Sequence, residues 1–175
     1  MKPTTSHDST GASGPGNPSS AAPTAKEHAH WELDRFLPYR LSVLSNQISQ
    51  AIARLYQARF GFGITEWRVI AVLGRFPALS ANTVAERTAM DKVAVSRAVA
   101  HLLERGLLTR EMHGDDRRRS VLTLSEAGYQ IYDEIVPLAL GRERKLLATL
   151  DADEREQLER ILDKLAKQGL PAMLE

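Results

Sequence analysis

The stretch SANTVAERTAMDKVAVSRAVAHLLERG, residues 80–106, decides the fold of this chain. Ser80 is a typical N-cap residue and predicts a short helix. A tight turn over Thr88–Asp91 then leads into a second helix from residue 92 to about residue 105. Gly106 occupies the position at which glycine commonly ends a helix. Two short helices joined by such a turn predict a helix-turn-helix, although a plain helical hairpin would show the same pattern.

The second of these helices has a core side and an outward side. At 100° per residue, the apolar side chains gather on one side, and these are Val95, Ala98, Val99 and Leu102. The outward side and its edges mix small apolar groups with cations, and the residues predicted to contact DNA there are Lys92, Val93, Ala94, Ser96 and Arg97. Arg97 can pair with guanine edges, and Ser96 can reach a base or a phosphate. Val93 or Ala94 can contact thymine methyl groups. We also expect the N-terminus of this helix to attract phosphate.

A β-hairpin follows the second helix directly. Leu107–Met112 and Ser120–Leu124 have the pattern of strands, and turn residues separate them. A helix-turn-helix followed by a hairpin predicts a winged helix-turn-helix, whose loop can reach the adjacent minor groove. Arg117, Arg118 and Arg119 would lie at or near the tip, because the potential of a narrow minor groove favours arginine. A solvated turn is the alternative interpretation of this charge run.

Long amphipathic helices flank this unit on both sides. From Leu37 to Leu55 apolar residues recur every three or four positions, which is typical of a helix packed along another helix. This stripe fits either an ordinary core helix or a subunit interface. The side chains predicted to begin the other helices are Thr65, Ser125 and the capping pair Asp151 and Glu154.

Composition favours a soluble intracellular protein. The 175 residues are 43% hydrophobic, enough for a core, and a net charge of +1 does not exclude a basic patch on one face. The lack of cysteine excludes disulfides, thiolate zinc sites and cysteine nucleophiles. We find no membrane helix and no signal peptide core, so we expect a cytoplasmic protein with no membrane partner. Residues 1–29 are rich in Pro, Gly, Ser and Thr and are expected to form a disordered tail.

Three motifs between about Leu37 and Leu165 resemble the MarR family of winged-helix regulators. They are ITEWRVIAVL (64–73), TVAERTAMDKVAVSRAVAHLLERGLL (83–108) and DDRRRSVLTLSEAG (115–128). The last is the most specific, because the family wing commonly has Asp-x-Arg with its aspartate nine residues before the Ser or Thr that opens the next helix. Ser125 is that residue here, which places the pair at Asp116 and Arg118.

The resemblance implies a mainly α fold with a small β-hairpin wing, composed of a winged helix-turn-helix and a helical dimerisation region. The family domain would cover residues 30–175. Its dimerisation helices would lie at about 31–60 and 126–170, and its winged helix-turn-helix at about 64–125.

The resemblance also implies the partners of this domain. It would form a homodimer and bind double-stranded DNA at a palindromic operator, with two recognition helices in successive major grooves. Asp116 is expected to hold Arg118 by an ion pair and to aim it into the minor groove. Arg117 and Arg119 would then contact nearby phosphates.

A narrower resemblance concerns the effector. FLPYRLSVLSNQISQAIARLY (36–56) and ERTAMDKVAVSRAV (86–99) look like the subgroup that represses nicotinic-acid degradation genes and responds to a hydroxylated nicotinic acid. This implies a repressor that a small aromatic acid releases from its operator. A regulator of another aromatic-acid, stress or virulence pathway, with a different ligand, is the alternative.

An aromatic acid needs a cation for its carboxylate and apolar walls for its ring. The residues on the elements that would form such a pocket are Tyr39, Arg40, Trp67 and Arg68. A plain core position for Trp67, and ion pairs for Arg40 or Arg68, are the alternatives.

Two other function classes are less well supported by the sequence. An enzyme would use His101 or His113 with Asp115 and Asp116 for acid–base work, but no nucleophile–base pair or glycine-rich phosphate loop accompanies them. A helical scaffold without DNA binding would not need the basic wing. The histidines have no partner at metal-ligand spacing, so neither a metal nor another cofactor is expected.

Overall fold

The computed structural model of this chain describes residues 32–112 and 120–174, without the Met112 side chain. The predicted tail over residues 1–29 lies outside the described residues. The elements in chain order are α1 (Leu37–Phe60), α2 (Ile64–Arg75), α3 (Ala81–Thr88), α4 (Lys92–Glu104), β1 (Leu108–Met112), β2 (Ser120–Leu124), α5 (Glu126–Leu147), α6 (Ala152–Lys164) and α7 (Leu170–Leu174). A 3-10 turn, Leu33–Arg35, precedes α1, and a π-helical turn, Leu165–Gly169, joins α6 to α7. The predicted fold class, mainly helical with a β-hairpin, is confirmed.

The hydrophobic core lies in the helix-turn-helix unit. It combines the C-terminal part of α1 with α2, α3, α4 and the hairpin, whereas α5 contributes one buried aliphatic side chain, Ile135. The most buried large side chains are Tyr56, Phe62, Val69, Ile70, Leu73, Val84, Val95, Val99, Leu102, Leu122 and Ile135. No described residue of α6 or α7 is buried. The core therefore fixes the position of α4, while the C-terminal helices pack little against their own chain.

Side-chain oxygens begin several of the helices. The hydroxyls of Ser80 and Ser125 each accept a hydrogen bond at 3.1 Å from the amide three residues further on, so both predicted caps are confirmed. Asp151 and Glu154 form the predicted capping box. The prediction that Thr65 caps the second helix is wrong, because Gly63 is the N-cap of α2. The Glu66 carboxylate accepts a hydrogen bond from the Gly63 amide, and this places Thr65 inside the first turn.

The two strands pair antiparallel, from Leu108 opposite Leu124 to Met112 opposite Ser120. An isolated bridge between Leu79 and Leu122 adds a short third segment through two backbone hydrogen bonds of 3.3 and 2.8 Å. β1 begins one residue later than predicted, because the Leu107 amide donates to the Leu102 carbonyl at 2.9 Å and completes the end of α4. The base of the hairpin is thus joined to the core on both edges.

Candidate nucleic-acid interface

The candidate interface is the N-terminal half of α4, and Asp91 defines where that helix begins. One oxygen of the Asp91 carboxylate accepts hydrogen bonds from the amides of Val93 and Ala94, at 2.9 and 3.0 Å. Two of the amides that a helix N-terminus leaves unpaired are therefore occupied by this cap. The expectation that the N-terminus of this helix attracts phosphate stays a prediction, and these two amides already have the Asp91 carboxylate as their partner. Asp91 was predicted only as a turn residue, although aspartate before a helix is a recognisable cap signal.

The two sides of α4 are as the sequence predicts. Val95, Ala98, Val99 and Leu102 are buried. Four of the predicted DNA-contacting residues are exposed, namely Lys92, Val93, Ser96 and Arg97, and Ala94 is half-buried. Val93 exposes 55% of its surface, which is unusual for valine and leaves an apolar contact between two cations. Within the described residues, Lys92, Ser96 and Arg97 have no hydrogen-bond or ion-pair partner, so their polar groups are available to a ligand.

The wing continues directly from the core. Leu108, Leu122 and Leu124 are buried in it, which holds the base of the hairpin in place. The predicted wing residues Asp116, Arg117, Arg118 and Arg119, with the rest of residues 113–119, lie outside the described part of the chain. Arg110 on β1 is exposed and was not among the predicted interface residues.

The opposite end of α4 is attached to the segment that links α1 to α2. The imidazole Nδ1 of His101 contacts the Glu66 carboxylate. Arg105 donates a hydrogen bond to the Phe60 carbonyl at 2.9 Å, and its guanidinium lies 4.5 Å from the centre of the Phe62 ring. These contacts could not be read from the sequence, since each joins residues more than thirty positions apart.

The residues predicted to bind an effector fall into two separate groups. Trp67 packs against the core, and Arg68 donates a hydrogen bond to the Ser49 hydroxyl at 3.0 Å. Tyr39 and Arg40 are exposed near the start of α1, roughly 15 Å along the helix axis from Ser49. The chain therefore brings Trp67 and Arg68 together but does not bring Tyr39 and Arg40 to them.

Tyr56, which was not among the predicted site residues, belongs to the first of these groups. Its ring lies 5.6 Å from that of Trp67, and its side chain is only 1% exposed. The Tyr56 hydroxyl is buried without a hydrogen-bond partner among the described residues. Burial raises the pKa of Tyr56 to about 12, an effect that Arg68 opposes and Glu66 reinforces. A buried hydroxyl without a partner is rare and leaves a donor available.

Within residues 32–112 and 120–174, no three His, Asp or Glu side chains come together in a way that could hold a metal ion. None of the helices described there is both long and apolar enough to cross a membrane.

Sequence and structure comparisons agree on one kind of protein. A family model described as "MarR family" matches residues 60–119. The HTH-type transcriptional regulator BilQ of Clostridium symbiosum is 30% identical over 98 residues, which cover 56% of this chain and 68% of BilQ.

Solved structures extend this likeness to most of the described chain. The crystal structure of a MarR/EmrR family transcriptional regulator from Acinetobacter sp. ADP1 is 31% identical, with a TM-score of 0.71, and covers 79% of this chain and 97% of its own. The structure of a MepR–DNA complex from Staphylococcus aureus is 20% identical and has a TM-score of 0.66, covering 75% of this chain and 96% of its own. At that identity the second likeness concerns the fold alone.

Proposed function

Because the chain belongs to the MarR family of winged-helix transcriptional regulators, we propose that it is a homodimeric repressor that a small aromatic acid releases from a palindromic operator. The observation that carries the DNA-binding role is the exposed N-terminal half of α4. Its cations have no described protein partner, and an exposed valine lies between them. This is the chemistry that reads base edges and thymine methyl groups in a major groove. Neither the family nor the fold is that of an enzyme.

Each predicted side chain has a role in this proposal. Arg97 reads guanine, Val93 and Ala94 contact thymine methyl groups, and Lys92 and Ser96 contact phosphate or base edges. In the wing, Asp116 orients Arg118 into the minor groove, and Arg117 and Arg119 contact phosphates. Residues 64–125 form the reading unit, and helices at about 31–60 and 126–170 form the dimerisation region.

The DNA-binding role is tested by selecting duplexes from a random-sequence pool with the purified protein. We expect enrichment of a palindrome whose half-sites lie about one helical turn apart. Arg97→Ala should weaken binding to that duplex and relax the preference at one base pair, while Arg118→Ala should also lower the salt dependence by about one unit of slope. Arg75→Ala at the end of α2, outside the predicted contact residues and the proposed dimerisation helices, is the matched control for loss of a surface arginine. Failure to enrich any sequence would refute the role.

Exposed apolar side chains support the homodimer. Several large residues on α1, α5, α6 and α7 are exposed in the single chain, namely Leu37, Leu41, Leu44, Leu138, Leu140, Leu146, Ile161, Leu162, Leu170, Met173 and Leu174. An apolar surface of this extent on a soluble protein marks an interaction site. Light scattering after size-exclusion chromatography should give the mass of two chains, and Leu41→Glu with Leu162→Glu should shift it to one.

The cluster of Tyr56, Trp67 and Arg68 supports the aromatic acid. Arg68 has a neutral hydroxyl as its described hydrogen-bond partner, so its charge can pair with a carboxylate. Trp67 offers an aromatic face, and the Tyr56 hydroxyl is a free donor for a ring substituent. In the dimer, Tyr39 and Arg40 remain further candidates.

A thermal-shift screen with nicotinic acid, its hydroxylated forms and benzoate tests the effector. A ligand at a hundred times its Kd stabilises the folded state by about 2.7 kcal/mol. Arg68→Gln should abolish the shift, whereas Arg54→Gln, which removes an exposed arginine of α1, should keep it. The absence of a shift with every acid would remove the aromatic carboxylate from the proposal while leaving DNA binding intact.

A further inference from the structure

The last two turns of α4 are attached to the link between α1 and α2, which we call the junction (residues 60–66). We propose that His101 and Arg105 are positioning residues, which set the angle at which the N-terminal half of α4 meets DNA. Neither residue needs to contact DNA for this. The inference rests on the proposed DNA-binding function. It adds a way in which a movement of α1 or α2 can change the position of the N-terminal half of α4.

The first attachment is made by the Glu66 carboxylate. One of its oxygens accepts a hydrogen bond from the Gly63 amide, at the start of α2, and the other contacts Nδ1 of His101. The Glu66 side chain is only 15% exposed, whereas that of His101 is 49% exposed. A carboxylate that is held by the backbone on one side offers a fixed point for the imidazole on the other.

The second attachment is made by Arg105. Its guanidinium donates to the Phe60 carbonyl at 2.9 Å and lies 4.5 Å from the centre of the Phe62 ring. The rings of Phe60 and Phe62 stack at 5.9 Å, and Phe62 is fully buried. Gly61 makes the turn between them with a φ of 69°. Arg105 therefore holds both the end of α1 and the turn that follows it.

Because these contacts lie at one end of α4, a small change in them displaces the other end of the helix further. His101 and Arg105 lie one turn apart at the C-terminal end, on the same stripe as Arg97. The helix axis from residue 92 to residue 105 is about 20 Å long, so a tilt of about 10° at the attached end moves the other end by about 3 Å. Base-edge hydrogen bonds tolerate only a few tenths of an ångström. Long side chains on phosphates can follow such a movement, so sequence discrimination should suffer more than general affinity.

The buried stripe of α4 does not make these contacts redundant. Val95, Ala98, Val99 and Leu102 fix the helix against the core from one side. The contacts of His101 and Arg105 lie at the edge of that stripe, where they resist rolling and tilting. Apolar packing has little directional preference, whereas a hydrogen bond to a carbonyl or carboxylate weakens steeply with angle.

The test compares two dissociation constants for each variant of the full chain. One is measured on the palindromic duplex that the wild type enriches from a random pool, and the other on a random-sequence duplex of equal length. Arg105→Met and His101→Ala should each weaken binding to the enriched duplex by about tenfold. Affinity for the random duplex and its salt dependence should stay unchanged. Arg105→Lys and His101→Asn, which keep a donor at the contact, should restore discrimination to within about threefold of the wild type.

Arg75→Met is the matched control. Arg75, at the end of α2, is also an exposed arginine that lies over an aromatic ring, 5.1 Å from the centre of Phe76, but it belongs neither to α4 nor to the proposed dimerisation helices. Its replacement should leave both dissociation constants unchanged. Unchanged affinity for the enriched duplex in Arg105→Met and His101→Ala would overturn the inference, as would an equal fold loss on both duplexes, which marks a merely structural role. If the wild type itself enriches no sequence, it is the DNA-binding function that fails.

Discussion

Substitutions of Asp91 can distinguish the contribution of this residue to the stability of α4 from its effect on DNA affinity. The Asp91 carboxylate accepts hydrogen bonds from two amides at 2.9 and 3.0 Å, and Asp91 directly precedes Lys92, one of the predicted DNA-contacting residues. Asp91→Ala removes both hydrogen bonds, for which the expected loss of unfolding free energy is about 1 kcal/mol. For a chain of this size that lowers Tm by about 2–4 °C. Asp91→Asn keeps a capping oxygen, so Tm should stay almost unchanged.

Both variants remove a negative charge that would face the DNA phosphates. Coulomb's law in water gives about 0.5 kcal/mol between a carboxylate and a phosphate roughly 8 Å apart, about twofold in Kd before salt screening. Affinity for duplex DNA should therefore rise in both variants, although only one of them is destabilised. The assays are thermal unfolding and fluorescence anisotropy with a labelled duplex at two salt concentrations.

Ser80→Ala provides the control, because the Ser80 hydroxyl caps α3 in the same way but carries no charge. It should lower Tm and leave DNA affinity unchanged. Two results would refute the reasoning. Equal destabilisation by Asp91→Asn and Asp91→Ala would mean that the carboxylate charge, and not the cap, stabilises the helix. No gain in DNA affinity in either variant would mean that this end of α4 does not face the phosphates.

Three further predictions concern the core. A Cβ at Gly128 would lie 2.2 Å from the Leu107 carbonyl oxygen, so Gly128→Ala should destabilise the fold by about 1–3 kcal/mol in denaturant unfolding. Gly141→Ala is the control and should not destabilise the fold, because a Cβ there meets only the far end of a flexible arginine. Leu102 is fully buried, so Leu102→Ala should cost about 2–5 kcal/mol, and a loss below 1 kcal/mol would contradict its place in the core. Burial raises the pKa of Tyr56 from 10.0 to about 12, so the tyrosine of the unfolded chain ionises at lower pH than that of the folded chain. The contribution of Tyr56 to the free energy of unfolding is therefore complete below pH 10 and should fall towards pH 12, by at most about 1.4 kcal/mol per pH unit. Tyr56→Phe should remove this part of the pH dependence, and an identical pH profile in the variant would disprove the assignment.

Local sequence patterns predicted most of α4 and the hairpin. The core side of α4 follows from apolar spacing alone, because burial on one side of a helix repeats every three or four residues. The prediction was less successful on α1, where apolar residues that face the core and apolar residues that are exposed form one continuous pattern. On α1 the stripe from Leu37 to Leu44 is exposed, while Ala53 and Tyr56 turn into the core of the same chain. A single apolar pattern cannot tell these two faces apart, so Tyr56 was missed from the candidate site.

Tertiary contacts explain what the sequence could not supply. The contacts of His101 with Glu66 and of Arg105 with Phe60 join residues 35 and 45 positions apart. Nothing in local propensity indicates them. The wrong prediction at Thr65 has another cause. Threonine is a good N-cap, but the N-cap of α2 is Gly63, whose amide donates to the Glu66 carboxylate.

The C-terminal helices have a consequence for turnover of the protein. Residues 152–174 are continuously helical, yet none of them is buried within the described chain. A helix of this length without tertiary packing is marginal in water, so its order has to come from a second surface. In the proposed dimer, folding of this segment and association are one equilibrium, and mass action makes both depend on protein concentration. Chains left unpaired at low concentration would unwind here first and expose this segment to proteases, so single chains would be degraded faster than assembled ones.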